Sequence, residues 1–295
     1  MLINQDDAAV AEVEAMLART QPVSSCVPVV GAALEIAHLA SHVDWLISDQ
    51  RDLEIQDTVH PAFLDGDWRS AVKQARSLLA DFRGRLGIHG PYKGIWINAE
   101  DSLIANAVVQ RLSTALTIAG ELGATHMVVH SPFTTFGSPF VTHGSVAQKN
   151  REMCAIHAIL ERLLPQAEKT GCTLVLENIY DANPRPWLEL VQSIDSPWLR
   201  LSVDVGHAFL TSQIGGPPPD QWIREAGAWL AHVHLQDSDG CADRHWRLGQ
   251  GNLNWFAIFN ALNEIDASPR LLLEMRQACD VQSSARWLMQ RGLAR

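Results

Sequence analysis

Short aliphatic runs alternate with longer amphipathic segments along most of the chain, and each run is a candidate strand. A weakly marked strand lies within residues 27–35, and clearer ones follow in residues 52–57, 86–92, 126–132, 172–178, 199–208, 230–237 and 270–275. Segments between them, such as 101–122, 145–170 and 254–265, carry apolar residues at the spacing of helices that lie on a sheet. Eight such units without a strong linker predict an α/β fold, a closed parallel (β/α)8 TIM barrel.

The N-terminal segment has a different pattern. Residues 1–20, MLINQDDAAVAEVEAMLART, are acidic with helical periodicity and lack the basic and apolar regions of a signal peptide. We therefore predict an N-terminal helical extension over residues 1–22 and a single barrel domain over residues 23–295. The most apolar segment, residues 23–40, is interrupted by Glu35 and His38, so no membrane span is expected there.

Composition narrows the expected partners. Hydrophobic residues make up 47% of the 295-residue chain, which is enough for a large core. The formal net charge of −10 and the lack of a Lys/Arg cluster argue against nucleic acid or an anionic membrane as a partner. The 5 cysteines are scattered and never form a C-x-x-C pair, which is typical of a reducing, cytoplasmic compartment.

Residues that can bind metals recur at the predicted carboxyl ends of the strands, where TIM barrels carry their chemistry. They are His89, His130, Glu177, Asp204, His207, His234 and Glu274, with Asp243 and His245 in the loop after the seventh strand. One histidine at a strand end is usually a hydrogen-bonded structural residue, but this many at one rim predict a site. Mixed imidazole and carboxylate ligands favour zinc, manganese or iron(II) over calcium.

Some of these positions allow a finer interpretation. Glu177 and Glu274 each end an aliphatic run, and a buried carboxylate is costly, so we expect each to have a positive partner. Gly206 is expected to let the backbone bend between Asp204 and His207. His232 shares a strand face with His234 but lies deeper, so we predict a structural role for it.

Several motifs together resemble the superfamily of xylose-isomerase-like TIM barrels. They are IHGPY, LGATHMVVHSP, LVLEN, SVDVGHA, HVHLQD, DRHWRLGQGNLNW and LLLEM, and they extend from about Asp52 to Glu274. This superfamily includes sugar isomerases and epimerases, related lyases and dehydratases, and endonuclease-IV-type apurinic endonucleases. The resemblance implies a barrel enzyme that depends on a divalent metal.

The resemblance also implies roles for particular residues. Glu177, Asp204, His234 and Glu274 match the four ligands of one divalent metal in the sugar epimerases, where the residues matching Glu177 and Glu274 also form the acid/base pair. His89, His130, His207, Asp243 and His245 match the further ligands of the three-zinc cluster in the endonuclease branch. The chain departs from that branch in two places: residues 26–40 lack its Gly-x-His strand, and Ser131-Pro132-Phe133 follow His130.

Two mechanisms remain open at this point. A one-metal isomerase, epimerase or lyase would use Mn2+, Zn2+, Mg2+ or Co2+ and move a proton beside the carbonyl of a small sugar or keto-sugar. A phosphoester hydrolase would use up to three Zn2+ ions, with Glu177 bridging two of them. A non-catalytic scaffold would not need the complete set of ligands. His207, Lys93 and Arg247 are candidate substrate-binding residues, and the expected partners are a carbohydrate-like substrate and, as an option, copies of the chain in a homo-oligomer.

Overall fold

Eight parallel strands form a closed barrel in the order of the chain, as the alternating pattern predicts. The computed structural model describes residues 27–133 and 146–295. The strands are β1 Gly31–Leu34, β2 Leu53–Ile55, β3 Leu86–His89, β4 His126–His130, β5 Thr173–Glu177, β6 Leu199–Asp204, β7 Leu230–Leu235 and β8 Arg270–Leu273. β1 pairs with both β2 and β8, and this second pairing closes the barrel. The predicted (β/α)8 fold is therefore confirmed.

Helices lie outside the strands. In the described part of the chain they are α1 Val43–Ser48, α2 Pro61–Asp65, α3 Trp68–Leu78, α4 Ser102–Leu122, α5 Val146–Thr170, α6 Pro184–Ile194, α7 Val205–Ser212, α8 Pro219–Ala226, α9 Trp255–Glu264 and α10 Val281–Met289. Short 3-10 helices occupy Ile36–Ser41, Asp57–Val59, Gly227–Trp229 and Ala278–Asp280. The three predicted helical segments match α4, α5 and α9 to within one residue at each end.

Local sequence explains where α4 begins and ends. The Asp101 carboxylate accepts the backbone N–H groups of Leu103 and Ile104, and Gly123 ends the helix in a left-handed conformation at φ 75°. By length and composition alone, α4 is also apolar enough to cross a membrane. Its buried side chains, Leu112 and Leu116 among them, pack into the apolar core of the barrel. The apolar character of α4 is therefore that of a helix covering a sheet.

Three expectations from the sequence have different outcomes in the structure. The predicted extension over residues 1–22 lies outside the described residues, so its boundary with the barrel stays a prediction. The first strand is shorter than its predicted range and occupies Gly31–Leu34. Gly206 does not serve as a bend, because α7 begins at Val205 and includes it. A Cβ atom at Gly206 would lie 2.4 Å from Cδ of Gln236, so this glycine makes room for that side chain instead.

Candidate metal centre

All nine sequence-predicted metal-binding residues meet at the carboxyl end of the barrel. Eight of them form three groups whose potential ligand atoms lie within 4.8 Å of one another: Glu177, Asp204 and His234; His89, His130 and Glu177; and His207, Asp243 and His245. Glu274 joins the first and third groups, since its Oε2 atom lies 3.4 Å from Nδ1 of His234 and 3.5 Å from Nδ1 of His245. Glu177 belongs to two groups and connects them.

The first group has the donor set of a divalent metal site. Nδ1 of His234 contacts Oε1 of Glu177 and faces Oε2 of Glu274, so carboxylates from β5 and from the end of β8 converge on one imidazole nitrogen. Oδ2 of Asp204 is buried and has no hydrogen-bond partner. Because an unpaired buried carboxylate oxygen is costly, a cation among these atoms accounts for the arrangement better than the protein atoms alone. The residues present therefore fit a bound divalent ion.

The second group uses the other oxygen of Glu177. Oε2 of Glu177 lies 3.5 Å from Nε2 of His130 and 3.9 Å from Nε2 of His89. Tyr92 supports this group from the side, because its ring stacks on that of His130 at 4.4 Å between centroids. One carboxylate thus presents separate oxygens to two clusters of imidazoles.

The third group is supplied by a hairpin-like loop. Asp237 and Trp246 form an isolated antiparallel bridge, and the loop between them carries Asp243 and His245. His245 has a positive φ of 49°, which is uncommon for a residue with a side chain. Nε2 of His245 and Nε2 of His207 lie 3.1 Å and 3.4 Å from Oδ1 of Asp243. The loop therefore brings one carboxylate and one imidazole to His207 on α7.

Backbone carbonyls orient most of these rings. Nδ1 of His89 is 2.8 Å from the carbonyl oxygen of Gly90, Nδ1 of His207 is 3.0 Å from that of Asn178, and Nδ1 of His245 is 3.1 Å from that of Glu274. A carbonyl only accepts, so each Nδ1 carries a proton and each Nε2 faces a carboxylate of the cluster. This is the outer-partner arrangement typical of metal-binding histidines.

The pKa is raised in some histidines of the site and lowered in another. Burial opposes a charge on His234, but the carboxylates of Glu274, Glu54 and Glu177 outweigh burial and raise its pKa well above the ordinary value. Burial likewise opposes charge on His245, whose pKa Glu274 and Asp243 nevertheless raise to about 9. Burial, with neighbouring histidines, holds the pKa of His130 well below its ordinary value. The protein without metal therefore balances its carboxylates with protonated imidazoles, which a bound cation would replace.

A cavity of about 570 Å³ opens above these groups. Ionisable side chains such as His89, Glu177 and Asp243 line its floor, while Trp96, Ile179, Tyr180, Leu210 and Ile214 contribute apolar wall. No lysine or arginine occurs among the described residues that line it.

Of the three candidate substrate-binding residues, one lines the cavity and two do not. His207 lines the cavity. Lys93 and Arg247 are exposed and do not line it, and Nζ of Lys93 lies 3.1 Å from Nδ1 of His60. A role for Lys93 and Arg247 in substrate binding therefore stays a prediction.

Four further residues complete the site and were missed by sequence reasoning: Glu54, Gln56, Tyr92 and Gln236. Gln236 donates to Oδ1 of Asp243 at 2.8 Å and accepts the backbone N–H of His245 at 2.9 Å, which holds the loop in place. Tyr92 stands within the IHGPY motif, and Gln236 directly follows β7. Their position beside strand ends was the only available signal, because neither side chain is an obvious metal ligand.

Two relatives match the chain in sequence. It is 24% identical over 222 residues to the uncharacterized protein MJ1311 of Methanocaldococcus jannaschii, a match that covers 72% of each chain. It is 26% identical over 151 residues to fructoselysine 3-epimerase of Escherichia coli O157:H7. That second match covers 48% of this chain and 49% of the epimerase, which is about half of each.

Solved structures match the fold over most of its length. The crystal structure of a D-tagatose 3-epimerase-like protein superposes with a TM-score of 0.70 at 22% sequence identity, covering 90% of this chain and 96% of that one. In sequence, residues 53–291 match the profile of the family described as xylose isomerase-like TIM barrel, a range that includes every proposed ligand. The chain belongs to the xylose isomerase-like TIM barrel family.

Proposed function

We propose that the protein is a divalent-metal-dependent isomerase or epimerase, or a mechanistically related lyase, that moves a proton next to the carbonyl of a small sugar or keto-sugar. The observation that carries this proposal is the convergence of Glu177 and Glu274 on Nδ1 of His234, beside the unpaired Oδ2 of Asp204. The fructoselysine 3-epimerase relative and the D-tagatose 3-epimerase-like fold support sugar chemistry of this kind.

Glu177, Asp204, His234 and Glu274 would hold the ion, which is Mn2+, Zn2+, Mg2+ or Co2+ in this proposal. The ion supplies Lewis-acid polarisation of a substrate carbonyl when bound. The four side chains come from β5, β6, β7 and the end of β8, so neighbouring strands fix their relative positions. Sites on rigid strands hold reacting groups more accurately than sites on loops.

Proton transfer falls to the two glutamates. Both glutamates line the cavity, and Glu274, whose side chain is 16% exposed, is more accessible to solvent than Glu177, which is 1% exposed. In an epimerisation one carboxylate removes the proton beside the carbonyl and the other returns a proton to the opposite face. Positioned acid/base groups of this kind typically contribute on the order of 10²–10⁴-fold in rate.

The lining of the cavity favours a substrate without phosphate. Phosphate groups are usually bound by arginine, lysine or a helix N-terminus. The described lining contains neither cation, and the N-terminus of α7 beside the cavity is already capped by the Asp204 carboxylate. The apolar wall contributed by Trp96, Ile179 and Ile214 suits the less polar face of a sugar ring or an apolar substituent. We therefore infer an uncharged ketose or keto-glycoside as the substrate.

Solvent hydrogen exchange tests the proposal. Protein loaded with Mn2+ is incubated in D2O with a panel of free ketohexoses and keto-glycosides, and deuterium incorporation is followed by NMR and mass spectrometry. We expect deuterium at the carbon beside the carbonyl of at least one compound, and none with metal-free protein. Absence of exchange across the panel, together with cleavage of a phosphodiester probe, would overturn the proposal.

A second candidate is a multinuclear zinc phosphoester hydrolase. The observation that favours it is Glu177, whose two oxygens face two different imidazole groups, an arrangement that fits a carboxylate shared by two ions. The third group, His207, Asp243 and His245, adds ligands that a one-metal epimerase does not need. Hydrolysis of bis(p-nitrophenyl) phosphate with up to three bound Zn2+ ions, and no deuterium exchange, is the result that would select this candidate.

A further inference from the structure

A charged cluster lies one layer below the candidate metal centre, inside the barrel. Glu54 on β2, His126 on β4 and His232 on β7 are each 0% exposed. Oε2 of Glu54 lies 3.1 Å from Nε2 of His232 and 3.4 Å from Nε2 of His126. Burying these ionisable groups in the core costs more free energy than burying well-packed apolar side chains would. Packing alone therefore does not explain why the cluster is there.

The contact between Glu54 and His126 crosses an entire strand. The register places Glu54 beside Gly87 of β3, and Gly87 beside His126. A Cβ atom at Gly87 would lie only 1.9 Å from Cε1 of His126, so the imidazole fills the space that a side chain on β3 would occupy. The missing side chain at position 87 therefore lets the side chains of Glu54 on β2 and His126 on β4 come into contact inside the barrel.

Glu54 also contacts the candidate metal centre directly. Its Oε1 atom lies 3.0 Å from Nε2 of His234, whose Nδ1 faces Glu177 and Glu274. His234 thus has the opposite orientation to His89, His207 and His245, which direct Nε2 into the cluster and Nδ1 to a carbonyl. The outer partner of His234 is a buried carboxylate instead of a carbonyl.

This contact determines which nitrogen of His234 is available. A carboxylate oxygen only accepts hydrogen bonds, so Nε2 of His234 must carry a proton. When the ring is neutral, the lone pair then lies on Nδ1, the nitrogen that faces Glu177 and Glu274. Ligand histidines are typically oriented through their other ring nitrogen, and a carboxylate there also increases the basicity of the ring.

The same oxygen of Glu54 is also connected to Glu274, through the side-chain amide of Gln56. Nε2 of Gln56 donates to Oε1 of Glu54 at 3.0 Å and to Oε1 of Glu274 at 3.1 Å. One buried carboxylate is therefore connected directly to His234 and, through one amide, to Glu274. Residues on β2 and just after it hold two proposed ligands that stand on β7 and after β8.

We propose that Glu54 is a positioning residue for the metal centre: it fixes His234 as an Nδ1 ligand and, through Gln56, holds Glu274 in place, while His126 and His232 hold Glu54. The inference rests on the metal site of the proposed function but not on the reaction. Loss of such an outer partner typically lowers metal affinity 10- to 100-fold.

Metal titration tests the proposal on the full-length protein. Mn2+ or Zn2+ is titrated into metal-free protein in competition with a fluorescent chelator, for the unaltered chain, for Glu54→Gln and for Ser202→Ala. Ser202 is the matched control, because it is buried in the same region and contacts His232 but not His234. We expect a 10- to 100-fold weaker affinity for Glu54→Gln and less than a 3-fold change for Ser202→Ala.

Each outcome has a distinct meaning. Equal affinities for Glu54→Gln and the unaltered chain would overturn the positioning role, whereas an unaltered chain that binds neither ion would overturn the proposed metal site itself. If Glu54→Gln does not fold, 15N NMR of histidine-labelled protein with Zn2+ provides the answer. A protonated Nε2 and a zinc-bound Nδ1 on His234 support the proposal, and zinc bound to Nε2 refutes it.

Discussion

Oδ1 of Asp204 accepts the backbone N–H of His207 at 2.7 Å, so a proposed metal ligand is also the N-cap of α7. The helix fixes one oxygen of this carboxylate, and the other, Oδ2, is left buried without a partner. The helix N-terminus also favours negative charge at this position. Asp204 therefore combines a structural hydrogen bond and a candidate ligand atom in one side chain.

These two roles of Asp204 can be separated by substitution. Asp204→Asn keeps an oxygen for the cap but removes the charge, so we expect a Tm in chelator close to that of the unaltered chain and at least a 100-fold loss of metal affinity. Asp204→Ala also loses the cap, which costs about 1 kcal/mol. Thermal unfolding in chelator and metal titration measure the two effects. An Asn variant with unchanged affinity would show that Asp204 is only a cap.

Glu177→Gln is expected to abolish turnover while the fold stays intact. The amide cannot accept the proton that Glu177 transfers in the proposed reaction, and general acid/base groups typically contribute 10²–10⁴-fold. Steady-state rates and far-UV circular dichroism measure both properties. Glu168→Gln, an exposed residue on α5, is the control and should retain full activity. An unaltered rate in Glu177→Gln would remove this residue from the mechanism.

Metal content distinguishes the two candidate functions. An isomerase or epimerase is expected to retain about one tightly bound ion per chain, because the four proposed ligands Glu177, Asp204, His234 and Glu274 would form one complete site. The variant His245→Ala should then keep that ion, as should Lys93→Ala, whose exposed side chain lies outside the cavity. Inductively coupled plasma mass spectrometry after dialysis gives the count. Two or three retained zinc ions, with at least one lost in His245→Ala, would favour the hydrolase.

Asp181 is expected to make stability depend on pH. Its carboxyl group is 3% exposed and accepts from Oγ of Ser131 at 2.6 Å and from the backbone N–H of Ile179 at 3.0 Å. Burial outweighs these hydrogen bonds and raises its pKa from 3.8 to about 7. The folded state thus binds the proton more tightly than the unfolded state, so this contribution to stability is complete below pH 4 and is lost as pH rises to about 7.

The measurement is urea unfolding between pH 4 and pH 8. Asp181 contributes at most about 1.4 kcal/mol per pH unit to the decline, and Asp181→Asn should remove that contribution. The exposed Asp266, changed to Asn, is the control and should leave the profile unchanged. A profile for Asp181→Asn that parallels the unaltered chain would mean that Asp181 does not titrate in this range.

The sequence was sufficient to predict the barrel and the rim of candidate ligands. Strand runs such as TLVLE are recognisable because parallel strands are buried on both faces, and Glu177 and Glu274 stand where those runs end. The carboxyl ends of all strands meet at one face of a barrel, so the sequence alone predicts that residues such as His89 and His234 lie close together.

The supporting network could not be predicted in the same way. β2 spans only Leu53–Ile55, and one strand of that length does not indicate which residue points inward. His126 stands at the start of β4, away from the carboxyl ends of the strands where TIM barrels carry their chemistry. Gln56 and Gln236 act through amide hydrogen bonds whose partners depend on the stagger between strands. Lys93 and Arg247 stand close to motifs in the sequence, but sequence does not show the direction of a side chain, and neither residue lines the cavity.

The gap at Gly87 links two positions that are distant in sequence. Any larger residue at 87 collides with the ring of His126, and any smaller residue at 126 leaves a hole beside Gly87. Among homologues, the two positions should therefore change together: relatives with a side chain at position 87 should carry a small residue at position 126. In such relatives Glu54 would lose one of its imidazole neighbours, so this pair of positions should mark which branches of the family share the buried cluster.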